Sequence, residues 1–328
     1  MRINFNKTHF KGYDAAPLKQ LYISKKVKPI LPEMEDVCDK ENIKLIKEDF
    51  DPKLIWLQDY QVFLNKKSGE TFAFKRPREL AKNLLKEHIE EAENLPVLEA
   101  QEYVTGGNCF VGKNDKNEKW ILIGESVLEK NSKDNISKLY EIKKENIIAL
   151  PQQAFHIDMF TRPIDYPYIL VDDFELAKEN VENMDRSLSG YDEFYFDFMD
   201  YYHKQKEFNK IGSTIETLQN HGFKPIQIAG RYGEGINFIN AIANKHSNNT
   251  ISYITNSTKT DLDGFEAISA LENIFRQDLS KKVKNLDELY FIKGKPNLSL
   301  KLNFMYDTLA YLSGGIHCLT LERPDFDN

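Results

Sequence analysis

Ser313-Gly-Gly-Ile-His-Cys-Leu-Thr320, close to the end of a 328-residue chain, is the stretch on which the reading turns. Its paired glycines let the backbone bend or approach a neighbour closely, and they deliver Cys318 onto a short apolar segment that reads as a strand. A lone cysteine there is either a small core residue or a nucleophile, and its company decides which. Working back along the chain, Phe155-His-Ile-Asp-Met-Phe160 carries a polar pair in apolar surroundings. If extended, it sends His156 and Asp158 to one face and Phe155, Ile157 and Met159 to the other, so an imidazole and a carboxylate share one site. Trp56-Leu-Gln-Asp59 sets a carboxylate inside an aromatic and aliphatic stretch, where it needs a cationic partner from the protein or from a substrate. Thr105-Gly-Gly-Asn-Cys-Phe-Val-Gly112 places two glycines and an amide before a strand, which taken alone is a turn signal.

Composition removes several alternatives. The chain carries 51 acidic and 44 basic side chains, a formal charge of −7, with 12% aromatic residues. That aromatic content argues against disorder, and interleaved charges of both signs leave no basic stripe for nucleic acid. The longest apolar runs, such as Trp120-Ile-Leu-Ile-Gly124, fall far short of the ~18 residues that span a bilayer. Cys38, Cys109 and Cys318 are too few and too scattered for a disulfide scaffold or a zinc site; Cys109 reads as core and Cys38 as surface. No apolar leader follows the first residues, so a cytoplasmic protein is expected.

Strand-like and helix-like stretches alternate throughout. Residues 54–64 read as extended and 78–94 as an amphipathic helix; 108–111 and 120–123 read as a hairpin joined by a polar turn. A helix near 133–144 leads to the strand 147–150, further strands are expected at 168–171, 225–229, 251–255 and 289–292, and a helix at 265–279. The charged, aromatic-rich segment 172–222 breaks this rhythm and reads as a helical insertion covering the core, with a lid or partner surface as the other reading. The whole is α/β, and with no Pro-, Gly- or Ser-rich linker a single domain is expected.

Taken in order, the four polar elements resemble the guanidino-group-modifying superfamily, which includes peptidylarginine, agmatine and arginine deiminases and the amidinotransferases. Gly-Gly-Ile-His-Cys318-Leu-Thr320 resembles its nucleophile motif Gly-x-x-His-Cys-x-Thr, and His156-Ile-Asp158 its His-x-Asp motif. Trp56-Leu-Gln-Asp59 resembles the Trp-x-(Gln/Arg)-Asp motif and Gly106-Gly-Asn108 the Gly-Gly-Asn motif. Gly235-Ile-Asn237-Phe-Ile-Asn240 is similar to an Asn-containing substrate-side segment. The set spans residues 56 to 320, most of the chain.

The resemblance implies a five-bladed, pseudo-symmetric α/β-propeller, the pentein fold, as one catalytic domain over 1–328 with 172–222 as an insertion. It implies Cys318 as nucleophile, His156 as acid and base, and Asp158 and Asp59 as the carboxylates that hold a planar guanidinium by paired hydrogen bonds. Trp56, Gly107, Asn108 and Asn237 fall on the substrate side. Arg76 and Arg78, 17 and 19 residues after Asp59, are candidates for a substrate backbone or carboxylate, or simply a solvated turn. His317 reads as an orienting neighbour rather than a second base. The implied chemistry needs no metal or organic cofactor, and the implied partner is a guanidino compound, peptidyl or small, with no nucleic acid and no membrane. Thr105 departs from the pattern: deiminases of free arginine or agmatine commonly carry an acid there, and Glu102 is the nearest carboxylate. Deimination to a ureido product is the expected reaction, with amidino transfer or a non-catalytic binding module as alternatives.

Overall fold

The computed structural model describes residues 17–28, 30–48, 56–59, 61–74, 89–91, 93–99, 104–233, 236–258, 266–293 and 315–325. They form five three-stranded sheets with one shared plan. In each, a central strand pairs antiparallel with one neighbour and parallel with the other. Strands β6 (Cys109–Lys113) and β7 (Lys119–Gly124) form a hairpin, and helix α2 (Lys133–Tyr140) carries the chain over to β8 (Ile147–Leu150), parallel to β7. The same unit recurs as β9 (Thr161–Asp165), β10 (Tyr168–Asp172) and β11 (Lys224–Ile228). It recurs again as β12 (Ile242–Lys245), β13 (Ile251–Asn256), helix α6 (Glu266–Lys282) and β14 (Leu286–Ile292). Strands β3 (Gln61–Lys66), β4 (Gly69–Phe74) and β5 (Val97–Glu99) make the fourth sheet. The fifth is assembled from both ends of the chain: β1 (Leu18–Ser24) pairs antiparallel with β15 (Thr320–Pro324) and parallel with β2 (Lys44–Glu48), after helix α1 (Leu31–Lys40).

Adjacent sheets are bridged in a closed cycle. Arg323 on β15 grips Glu70 on β4 (2.7 and 3.0 Å); Lys119 on β7 reaches the Asn65 carbonyl on β3; Lys210 bonds Glu125 beside β7. Lys245 on β12 pairs with Asp165 on β9 at 2.7 Å, and the Leu18 N–H on β1 donates to Asn244 on β12 at 2.9 Å. The last sheet therefore returns to the first, which is the five-bladed propeller that the family resemblance implies.

The local chemistry explains the elements. Strands β6 and β10 are nearly or wholly buried, so they read as apolar runs rather than alternating ones. Ser132 caps α2 by accepting the Asn135 N–H, and Asp173 caps helix α3 (Phe174–Glu182) by accepting from Glu175 and Leu176. The segment 172–222 is three helices: α3, α4 (Tyr191–Glu207) and α5 (Ile211–Asn220). Along α4 the residues Tyr191, Phe194, Phe198, Tyr201 and Tyr202 recur at helical spacing and are buried against β10, β11 and α6, while Phe196 faces outward at 70% exposure.

Three expectations are corrected. Residues 57–59 form a 3-10 turn before β3 rather than a continuous strand, because the chain must turn before it enters the sheet. Cys318 lies on the one-turn helix α7 (Ile316–Leu319), with the strand starting two residues later at Thr320. Cys38 lies on the buried face of α1, in the cluster of Leu21, Ile23 and Val37, not on the surface. Most of the helix expected at 78–94 lies outside the described residues. Among the described residues no helix is long and apolar enough to cross a membrane.

Candidate active site

The five first strands of the units each begin at a short turn, and these turns meet. They are 57–59 before β3, 106–108 before β6, 157–159 before β9, 236–240 before β12 and α7 before β15. Glycine permits the close approach. A Cβ on Gly106 would overlap the Gln58 carbonyl; one on Gly107 would lie 2.6 Å from His156 Nδ1 and 3.1 Å from Asp158 Oδ2; one on Gly315 would lie 2.5 Å from both Asn240 Oδ1 and Asn256 Nδ2. The glycines singled out in the sequence are thus where one turn packs on the next.

At the centre, the Cys318 thiol donates to Asp158 Oδ2 at 3.3 Å and receives the Asn240 amide at 3.2 Å. Asp158 is fully buried. Its Oδ2 also accepts the His317 Nδ1–H at 2.8 Å, while its Oδ1 has no hydrogen-bond partner among the described residues. Burial pushes the Asp158 carboxyl up, but the hydrogen bond and charge of His317, the charge of His156 and the Cys318 contact outweigh it and hold the group below the usual carboxylate range. His156 reaches the site from an extended residue preceding a 3-10 turn, Ile157–Met159, so His156 and Asp158 do not converge by strand alternation. They converge because the turn rolls Asp158 back beside the imidazole, over Gly107. Thr105 Oγ1 lies 3.4 Å from His156 Nε2, in the place where an acid would be expected; Glu102 lies outside the described residues.

Asparagines fix the frame. Asn108 accepts the Ile157 N–H at 3.2 Å and a Gln152 N–H at 3.2 Å, tying the 106–108 turn to the 157–159 turn. Asn237 accepts from the backbone of Ile239 and Asn240 and donates to the Met159 carbonyl at 3.1 Å. The Asn237 amide is therefore occupied with backbone, and the Asn108 amide with the Ile157 N–H and the Gln152 and Ser126 side chains. Asn240 is the residue that touches the sulfur, and sequence reading passed over it in favour of Asn237 although both stood in the same motif. Asn256 was also missed: it accepts the Ile316 N–H at 3.1 Å and donates to the Asn237 carbonyl at 3.0 Å, joining α7 to the 236–240 turn. Its signal in the sequence, an amide at the end of a strand-like run, has no chemical specificity. Thr320 Oγ1 donates to the Ile316 carbonyl at 2.9 Å, closing α7 from below, which accounts for the threonine of the motif.

Trp56 is half-buried against the cluster of Leu21, Ile242, Ile316 and Leu319, so it supports the helix that carries Cys318. Asp59 ends the 57–59 turn; its side chain, like Arg76, Arg78 and Gly235, lies outside what the structure describes. Among the described residues no group of three or more His, Cys, Asp or Glu side chains is arranged to hold a metal.

The fold defined by these five units is the pentein α/β-propeller. Solved structures share it: agmatine deiminase from C. jejuni is similar over 99% of this chain and 99% of its own, at 14% identity and a TM-score of 0.58. A cysteine-to-serine variant of that enzyme with substrate bound gives 13% identity, the same coverage and a TM-score of 0.56. An amidinotransferase of the saxitoxin biosynthetic pathway from Microseira wollei gives 10% identity, 98% and 99% coverage and a TM-score of 0.50. No protein-family model matches the chain, and no curated protein sequence matches it.

Proposed function

We propose that the protein is a cysteine-dependent deiminase that hydrolyses the guanidino group of peptidyl arginine or of a small, agmatine-like arginine derivative, giving a ureido product and ammonia. The observation that carries the reading is Asp158, fully buried beside a buried thiol, with its Oδ1 lacking a hydrogen-bond partner among the described residues. An uncompensated carboxylate oxygen at that depth is costly unless a cation comes to it, and guanidinium presents two parallel N–H groups that suit a carboxylate.

In the resting state the carboxylate beside Cys318 favours the thiol. A bound guanidinium, held by Asp158 and Asp59, brings the positive charge that favours the thiolate, with the Asn240 N–H as donor to the sulfur. The thiol proton passes to His156, sulfur attacks the central carbon, and a tetrahedral adduct forms. His156 gives a proton to one amino group, the C–N bond breaks and ammonia leaves, which yields an S-alkylthiouronium. His156 then takes a proton from water and the hydroxide adds to the same carbon; as the C–S bond breaks, the new hydroxyl's proton goes to the sulfur, the ureido product leaves with the thiol restored, and His156 gives its proton to solvent. Gly107 keeps the space in which imidazole and carboxylate meet, and Asn108 and Asn237 hold the turns that aim them. Arg76 and Arg78 are assigned to the substrate side, and Trp56, packed on the cluster beneath α7, to supporting Cys318.

Incubating the protein with agmatine, arginine and arginyl peptides, with ammonia and ureido product as readouts, tests the proposal; turnover should vanish in Cys318→Ser. No turnover on any of the three would refute it. The amidinotransferase likeness supports a second reading in which an amine replaces water as acceptor, and product that appears only with added amine selects it.

A further inference from the structure

Beneath the proposed site runs a line of buried charge that the mechanism above does not use. His317 gives Nδ1–H to Asp158, and its other ring nitrogen lies 3.4 Å from Glu322 Oε1, at ion-pair distance although off the line of a hydrogen bond. Glu322 is held in turn by Arg162 Nη2, 3.3 and 3.4 Å from its two oxygens. Phe110 packs against both, its ring 5.7 Å from the His317 ring and 5.5 Å from the Arg162 guanidinium carbon. His317 and Arg162 are fully buried and Glu322 nearly so.

As a device for stability this is poor. Nε and Nη1 of Arg162 have no hydrogen-bond partner among the described residues, and a buried ion pair can usually be replaced by apolar groups without loss. Its geometry makes sense as orientation. A carboxylate lies beside each ring nitrogen, so the ring is held from both sides and its Nδ1–H is kept on Asp158 Oδ2. That fixes which oxygen is occupied and leaves Oδ1 with no hydrogen-bond partner among the described residues.

We propose that Glu322 and Arg162 are positioning residues, acting through His317 to keep Asp158 set as the seat for a planar cation. The role rests on the deiminase reading only in what the cation is; the seat itself can be tested without turnover. Alkylation of Cys318 is followed with two reagents of the same leaving group and size, a cationic haloacetamidine and a neutral haloacetamide. The full-length protein should react faster with the cation by about tenfold to hundredfold, the worth of a charge-assisted hydrogen bond. In Glu322→Gln the ratio should fall below about threefold while the neutral rate stays within about threefold, since both reagents meet the same thiol. The double variant Glu322→Gln with Arg162→Met leaves no half of the pair buried alone, and it should behave the same way if the single one is poorly folded. A cation preference retained in both variants overturns the positioning role and leaves the deiminase reading standing. No preference in the unaltered protein means that Asp158 seats no cation and overturns both.

Discussion

Replacing Gly107 with alanine would place a methyl group 2.6 Å from His156 Nδ1, 3.2 Å from His156 Cγ and 3.1 Å from Asp158 Oδ2. The backbone at Gly107 is outside the left-handed region, so alanine meets no conformational penalty and its whole effect comes from those contacts. Ordinary van der Waals contact begins at 3.4 Å, so the imidazole must retreat by about 0.8 Å. Asp158 cannot retreat, being tied to His317 and Cys318, whereas His156 is half-buried and can swing outward. A misplacement near 1 Å in a reacting group costs about a hundredfold in rate, or about 2.7 kcal/mol of barrier. The assay is kcat/KM on whichever guanidino compound proves to be the substrate, with the melting temperature alongside. Activity should drop by that factor and melting should change little. The neighbouring Gly106→Ala gives the contrast: its Cβ strikes the Gln58 backbone, which cannot swing, so melting should fall first. Gly107→Ala within about threefold of full activity would refute the claim that His156 and Asp158 act together across this gap.

Asp158 is held low, so the unfolded chain takes up the proton first; its stabilising contribution is present above about pH 4 and drains as the pH falls through the lower folded value. Urea midpoints of Asp158→Asn should therefore decline less steeply than those of the unaltered protein between about pH 5 and pH 3, and parallel curves would count against this placement. Asp172 shifts the other way: burial pushes it up to about 7, against the pull of Arg231 and of the Gly230 and Arg231 N–H groups. The folded state then binds the proton more tightly, so stability is lost as the pH rises from about 4 to about 7 and levels off beyond. Asp172→Asn keeps the acceptor for both N–H groups and should flatten that interval in melting experiments. Arg323 grips Glu70, Glu93 (2.6 Å) and Gln20 (2.6 Å), and Arg323→Met would leave two part-buried carboxylates without their cation. Chemical unfolding should show a loss of about 3–5 kcal/mol, and a loss below about 1 would refute that clamp.

The alternation of strands and helices was legible where a unit shows the pattern in unbroken sequence, as at 109–150: a hairpin with polar turn residues, an amphipathic helix, and an apolar strand. The hairpin at 109–124 and the helix at 266–282 fell where periodicity put them. The turns at 57–59, 157–159 and 316–319 were read as strands for a physical reason. Each is three or four residues long and directly abuts a buried strand, so the apolar residues that anchor the turn cannot be told from those that open the strand. Polar partners were legible where their chemistry is unusual in apolar surroundings, as for Cys318, His156 and Asp158. Asn240 and Asn256 were not, because a buried asparagine holding backbone has the same composition as a loop asparagine in water. Glu322 and Arg162 were invisible for another reason: 160 residues separate them, and only the pairing of β15 into the first sheet brings them together.

The unit plan also explains why the set is spread so unevenly in sequence yet so tightly in space. Asp59, Asn108, Asp158, Asn240 and Cys318 are 49, 50, 82 and 78 residues apart. The longest gap contains α3, α4 and α5, which lie in the crossover between β10 and β11. Crossovers run outside the sheets, whereas the turns sit where the carboxyl ends of the central and parallel strands meet the start of the next first strand, the end of a sheet at which α/β proteins gather ligands. Lengthening a crossover therefore adds surface without moving a turn. The turns are fixed instead by contacts that cross units, such as Asn240 to Cys318, Asn108 to Ile157 and Asn256 to Ile316. Removing one of these should disturb the neighbouring unit's turn more than its own strand, because each amide bonds to the backbone or sulfur of another blade.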